Sequence, residues 1–163
     1  SAASDVYKRQ ILDTMLTEDR KLVILARFVP ELDGIQELLK RKQIGYASVR
    51  GGVSDRAEEI RRFQEDADCK VFVGQTAAAG LGITLTAAST MVFYSLDYSM
   101  SNFEQAKARI HRVSQTENCL YIYLTAKHTV DTKILRALRD KADLARTLVD
   151  DYRNGINPFQ EGA

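Results

Sequence analysis

The sequence predicts an α/β domain built around a parallel sheet, and three observations point there. Short β-rich apolar runs alternate along the chain with segments of helical periodicity. The spacers are about 10–15 residues long, the length of a crossover helix rather than of a hairpin turn. The first run, Lys21-Leu-Val-Ile-Leu-Ala-Arg27, is almost continuously apolar, as a strand buried on both faces requires. The 163 residues suit one domain, and 45% hydrophobic with 28% charged residues suits a packed core under a polar surface.

The elements are taken in chain order. A first helix is expected to run to about Leu16. Within it, Asp5-Val-Tyr-Lys-Arg-Gln10 reads like an in-frame translation of a transposon-derived sequencing adapter, in which case residues 1 to about 10 carry no function; the alternative is that the run simply opens the helix. The strand Lys21–Arg27 is followed by Pro30, placed where a helix start does not need its missing N–H. Leu32, Ile35, Leu38 and Leu39 then recur at helical spacing to about Lys42. A second strand at Ile44–Val49 ends in a Gly51-Gly52 turn, and Ser54 or Asp55 caps the next helix, with Ala57, Ile60 and Phe63 on its apolar face. Strands are expected at Lys70–Gly74, Thr90–Ser95 and Leu120–Thr125, with helices at Ser101–Arg112 and from Val130 to about Val149. The predicted division is an N-terminal helix over 1–20, a domain over 21–150 and a tail over 151–163.

Composition narrows the function classes. No apolar run approaches the ~18 residues of a membrane helix, and no secretory leader pattern opens the chain. Cys69 and Cys119 lack metal-ligand spacing and a disulfide framework, and both read as buried thiols in a reduced compartment. The formal net charge of +1 leaves nucleic-acid binding open, because basic residues can gather on one face.

Ligands of such sheets sit beyond the carboxyl ends of the strands. There the chain places Arg27 and Phe28, then Arg50 with Gly51-Gly52, then Gln75-Thr-Ala-Ala-Ala-Gly80-Leu-Gly82-Ile-Thr84, then Leu96-Asp97-Tyr98. Small residues and hydroxyls at one edge suit a phosphate or a ribose, although Gly80 and Gly82 also read as plain turn residues. The most specific segment is Gln105-Ala-Lys-Ala-Arg-Ile-His-Arg-Val-Ser-Gln115. On a helix, Gln105, Arg109 and Arg112 would share a face, and two planar, always-charged forks could meet a transferring phosphoryl group. Arginines also occur on helix surfaces with no such role.

The order of these pieces resembles the second RecA-like lobe of Swi/Snf-type ATPases, among the superfamily 2 helicases. Leu22–Phe28 looks like motif IV, and Arg50-Gly51-Gly52 with Arg56 like the nucleic-acid-contacting segment that follows it. Gln75–Leu85 with Thr86-Ala87-Ala88 is similar to motif V, and Gln105–Gln115 to motif VI. His128-Thr-Val-Asp131 is similar to the turn before the family's closing helix. The resemblance implies a three-layer, RecA-like, P-loop NTPase-type fold with a central parallel sheet.

The chain carries no phosphate-binding loop of its own, since neither Gly-x-x-x-x-Gly-Lys-[Ser/Thr] nor Asp-Glu-x-His occurs in it. ATP with Mg²⁺ would therefore be held mainly by an N-terminal lobe of the same protein. The resemblance assigns Arg109 and Arg112 as arginine fingers, with Gln105 positioning arginine or water. It places Gly80, Gly82 and Asp97 near nucleotide, and Arg27, Gly51, Arg56 and Thr76 on the backbone of DNA. The chain alone is expected to be inactive.

Ala79, Met100 and Ser114 depart from the family's usual Gly, Trp and Gly, and the loop after Gly51-Gly52 is short. These departures point to a compact bacterial or phage protein of the cytoplasm rather than a eukaryotic remodeller. An RNA-directed DEAD-box-like lobe and a non-catalytic nucleotide- or protein-binding module are the alternatives. Leu81-Gly-Ile-Thr-Leu-Thr-Ala-Ala88 and His111-Arg-Val-Ser-Gln115 favour a double-stranded DNA translocase.

Overall fold

The computed structural model describes residues 2–50, 55–77, 82–96, 98–125 and 130–155. The chain runs α1 (Ala2–Met15), β1 (Leu22–Ala26), α2 (Val29–Arg41), β2 (Gly45–Val49), α3 (Arg56–Glu65), β3 (Cys69–Gln75), β4 (Thr90–Phe93), α4 (Met100–Lys107), β5 (Leu120–Tyr123) and α5 (Val130–Arg153). All five strands are parallel, in the order β2-β3-β1-β4-β5.

Strand β1 shows why three layers form. Its five residues are all buried, and successive side chains must point to opposite faces of the sheet. Val23 and Leu25 join Phe63 of α3, Phe103 and Ala106 of α4, and Ile134 and Leu138 of α5 in one cluster. Leu22, Ile24 and Ala26 join Leu12 of α1 and Leu32, Ile35, Leu38 and Leu39 of α2 in the other. Burying one such aliphatic side chain contributes about 1.5–3 kcal/mol. A polar substitution in β1 would therefore disrupt the packing of the sheet against one helical layer, which layer depending on the face its residue occupies.

The connections leave β1 toward one edge through β2 and β3, then jump past β1 to β4 and β5. The strand order thus reverses between β1 and β4, where such sheets open a crevice at their carboxyl ends. Ser95, just past β4, bridges that point. It accepts from the Arg27 N–H at 2.7 Å and donates to Glu31 Oε1 at 2.7 Å. Glu31 also accepts from the Phe28 N–H at 3.2 Å, satisfying an orphan donor at the start of α2.

Helix α1 includes most of the segment set apart as adapter-like. Lys8 is 4% exposed and donates to the Tyr94 carbonyl at 3.0 Å. At the other end, α5 continues to Arg153, beyond the expected stop near Val149. Asp55 caps α3 as expected, accepting from the Glu58 N–H at 3.2 Å. Gly45 is required by space, because a Cβ there would lie 2.2 Å from the Asp68 carbonyl oxygen.

One element corrects the sequence reading. The helix expected over Ser101–Arg112 stops at Lys107. Beyond it the chain closes in short turns, with Arg109 N–H on Ala106 O at 3.0 Å and Ile110 N–H on Lys107 O at 3.3 Å. The helix cannot continue because the next carbonyls are claimed from outside. Leu85 N–H donates to Arg109 O at 2.9 Å, and Gln115 Nε2 donates to Ile110 O at 3.1 Å.

Candidate functional site

The register of β2, β3 and β1 aligns the residues just past their carboxyl ends. Val49 and Leu25 both pair with Gly74, and Ala26 pairs with Gln75. Arg50, Thr76 and Arg27 therefore emerge side by side along the carboxyl edge. Arg27 is exposed, its guanidinium 5.0 Å over the Phe28 ring. Thr76 is 3% exposed, and its buried Oγ1 has no partner. Arg50 gives Nη1 to Asp33 at 2.7 Å, while its Nε and Nη2 are buried without partners. Arg56, the first residue of α3, is exposed. Glu59, its natural intrahelical mate, instead accepts from Ser48 N–H and pairs with Arg62, both at 2.8 Å. No ion pair involves Arg56 among the described residues.

Residues 82–88 run from the carboxyl side of β3 back to the start of β4, and the turn after α4 docks on them. Gly82 has φ of +75°, with nothing within 4 Å of a notional Cβ, so backbone conformation rather than space demands glycine. Arg112 is exposed and donates from Nη1 to Thr84 Oγ1 at 2.6 Å and from Nε to Ala108 O at 3.2 Å. Arg109 is 8% exposed, and its buried Nε has no partner. Burial, reinforced by the charge of Arg112, pushes the Arg109 guanidinium below its ordinary pKa. Neither arginine forms an ion pair among the described residues.

The structure thus brings Arg109 and Arg112 together on one turn and leaves Gln105 apart. Gln105 is exposed on α4 and donates to Ser101 Oγ at 3.3 Å. The helical face expected to unite all three is broken by the end of α4. Gly51, Gly80 and Asp97, together with the His128-Thr129 turn, lie outside the described residues. The sequence singled out neither Gln64 nor the bond of Thr84 to Arg112, and Gln115 appeared only as the end of a motif. Hydroxyl and amide side chains carry no periodic signal that could have revealed them.

A parallel sheet with its strand order reversed beside β1, a basic carboxyl edge and a paired-arginine turn define an α/β lobe of the RecA-like kind. The chain belongs to the helicase conserved C-terminal domain family, whose sequence model matches residues 7–114. It is 32% identical over 152 residues to the chromatin-remodeling ATPase INO80 of Drosophila melanogaster, covering 90% of this chain and 9% of that protein. It is 35% identical over 135 residues to a second fly protein, SWI/SNF-related matrix-associated actin-dependent regulator of chromatin subfamily A-like protein 1. That match covers 82% of this chain and 18% of the relative. The chain therefore spans less than a fifth of either relative's length. The crystal structure of the C-terminal part of the Fun30 ATPase domain superposes with a TM-score of 0.75 at 26% identity, covering 80% of this chain and 45% of that one. Both fly relatives are eukaryotic, so the bacterial or phage source expected from the departures gains no support from them.

Proposed function

We propose that this lobe is the second half of an ATP-driven motor that moves along double-stranded DNA, with Arg109 and Arg112 as its arginine fingers. One observation carries the reading. Two neighbouring arginines sit on one turn without an acidic partner among the described residues, and one is buried with an unpartnered Nε. A desolvated cation without a counter-charge costs several kcal/mol, so such a pair is retained where an anion arrives from outside.

The donor set fits a phosphoryl group. Each guanidinium presents a rigid fork to paired oxygens, and it stays charged even when burial lowers its pKa. ATP with Mg²⁺ would supply the transferable phosphoryl group, held mainly by an N-terminal lobe. Arg109, fixed by its burial and by its carbonyl's bond to Leu85, is the pre-set finger. Arg112, tethered through the single hydroxyl of Thr84 and its own helix end, is the one free to swing. Gly82, with its φ of +75°, sets the backbone direction at the start of the segment that carries Thr84.

Arg27 and Arg56 lie exposed along or next to the carboxyl edge of β1 to β3, where they would follow one DNA backbone, while the buried Thr76 hydroxyl would join them only after local opening of that edge. Contacts of this kind ignore base sequence, as stepping along any DNA demands. Opening and closing of the cleft between lobes would then convert hydrolysis into movement. The test is single-turnover hydrolysis by the two-lobe protein carrying this lobe, with binding of a fluorescent ATP analogue measured in parallel. Loss of hydrolysis with retained binding in Arg112→Ala is the expected result. Competition by single-stranded RNA as strong as by duplex DNA would favour the RNA-directed alternative.

A further inference from the structure

The segment between Thr84 and Ala88 is held from two sides by glutamine side chains. From α3, Gln64 Oε1 accepts the Ala87 N–H at 2.8 Å, and its Nε2 donates to Thr86 Oγ1 at 3.2 Å. From the far end of the arginine turn, Gln115 Nε2 faces three carbonyl oxygens: Ala88 at 2.8 Å, Ile110 at 3.1 Å and Thr86 at 3.2 Å. Its Oε1 accepts the Glu117 N–H at 3.1 Å. Two amide protons shared among three carbonyls use both donors of that side chain, and its oxygen is engaged as well.

The segment gripped in this way has no slack. Leu85 is 0% exposed, Ala88 1% and Ile110 0%. The Leu85 N–H bonds the Arg109 carbonyl, and Thr84 bonds Arg112. Gln64 thus ties α3 to residues 86–87, which adjoin Leu85 and Thr84, the bonding partners of the Arg109 backbone and the Arg112 side chain. Arg56 stands at the head of that same helix.

We infer that Gln64 and Gln115 are positioning residues, which join the helix bearing Arg56 to the turn bearing Arg109 and Arg112 so that nucleic-acid contact sets the placement of the fingers. The inference rests on the proposed roles of Arg56, Arg109 and Arg112. The competing account is that the two glutamines only stabilise the fold.

The partners make the two glutamines respond differently to the same substitution. Glutamate at position 115 would turn a carboxylate toward three carbonyl oxygens with no proton to offer. Glutamate at position 64 would still accept the Ala87 N–H, and the Thr86 hydroxyl can donate to it instead of accepting. Gln64→Glu is thus the conservative control for Gln64→Leu.

The experiment compares Gln115→Glu, Gln64→Leu and Gln64→Glu in the two-lobe protein, measuring kcat and KM for ATP with and without a random-sequence duplex. It also follows amide exchange at Leu85 in the 163-residue chain. In Gln115→Glu, kcat should fall about tenfold to a hundredfold, as misplacing a catalytic group by up to about 1 Å does. KM for ATP should stay within about twofold. Leu85 exchange should quicken about tenfold, while Val23 in β1 keeps its protection. Gln64→Leu should lose most of the duplex-stimulated rate, and Gln64→Glu should retain it.

A kcat near wild type in both Gln115→Glu and Gln64→Leu, even with faster Leu85 exchange, overturns the inference in favour of the purely structural account. Unchanged Leu85 exchange in Gln115→Glu overturns it as well. If Gln115→Glu also loses Val23 protection, Gln64→Leu against Gln64→Glu decides, and equal rates in that pair overturn it. Absence of hydrolysis by the wild-type two-lobe protein removes the proposed function and this inference together, a result distinct from slow variants of an active enzyme.

Discussion

Leu85 donates its backbone N–H to the carbonyl of Arg109 at 2.9 Å, which joins the two most specific segments of the sequence without using a side chain. The placement of Arg109 therefore survives changes to its own side chain. Substitution there reads out the guanidinium rather than the loop.

Arg109→Met should leave the lobe as stable as the wild type or stabilise it by about 1 kcal/mol, because it removes a buried donor without a partner and keeps the aliphatic volume. Urea unfolding of the chain measures this. A clear loss of stability would mean that Arg109 has a structural partner.

Arg109→Ala and Arg112→Ala should each lower kcat of the two-lobe protein by on the order of 10³ or more, with KM changing far less. Steady-state kinetics check it. A variant with near-wild-type kcat would remove that residue from the finger role.

The 163-residue chain alone should hydrolyse no ATP, since the phosphate-binding loop is absent from its sequence. A turnover assay on the purified chain tests this. Activity that disappears in Arg112→Ala would refute it.

Arg56→Ala should weaken DNA binding by the two-lobe protein equally for unrelated sequences and make the salt slope shallower by about one. Titrations at several salt concentrations decide it. With Glu59 committed to Ser48 and Arg62, little change in stability is expected.

Alkaline pH should destabilise the lobe through Cys69. Burial pushes its thiol above the ordinary value, with Arg62 and Lys21 opposing and Glu59 and Asp66 adding to the rise. A raised pKa in the folded state means stability that is complete below about pH 8.5 and is lost as pH climbs toward the folded value. Tyr94, Tyr121 and Tyr123, raised mainly by burial, extend the decline above about pH 10. Cys69→Ala should flatten the slope between these two values in melts recorded across pH. An unchanged slope would show that the thiol does not titrate there.

The sheet was legible because burial on two faces leaves a continuous apolar run, as in Leu22–Ala26 and Val71–Val73. Helix α2 was legible through the spacing of Leu32, Ile35, Leu38 and Leu39. The end of α4 was not, because Ala106, Ala108 and Ile110 look helical locally, and the groups that stop the helix, Leu85 N–H and Gln115 Nε2, are remote or lie beyond it. Paired arginines announced their chemistry by residue type. Gln64 announced nothing, since an amide on an exposed helix becomes informative only once Thr86 and Ala87 are seen against it.

The position of β5 separates what is recognisable in this chain from what can fold. The family match ends at residue 114, yet β4 is buried along its whole length and pairs with β5, residue for residue, from Thr90 with Leu120 to Phe93 with Tyr123. A fragment cut at Ser114 would expose an apolar strand edge, the kind that recruits other chains. It would also lose the Phe93–Tyr123 stack at 5.4 Å and the clamp of Gln115. The stretch that identifies the lobe is shorter than the stretch that closes its sheet. Truncations and domain swaps in this protein should therefore be placed after α5.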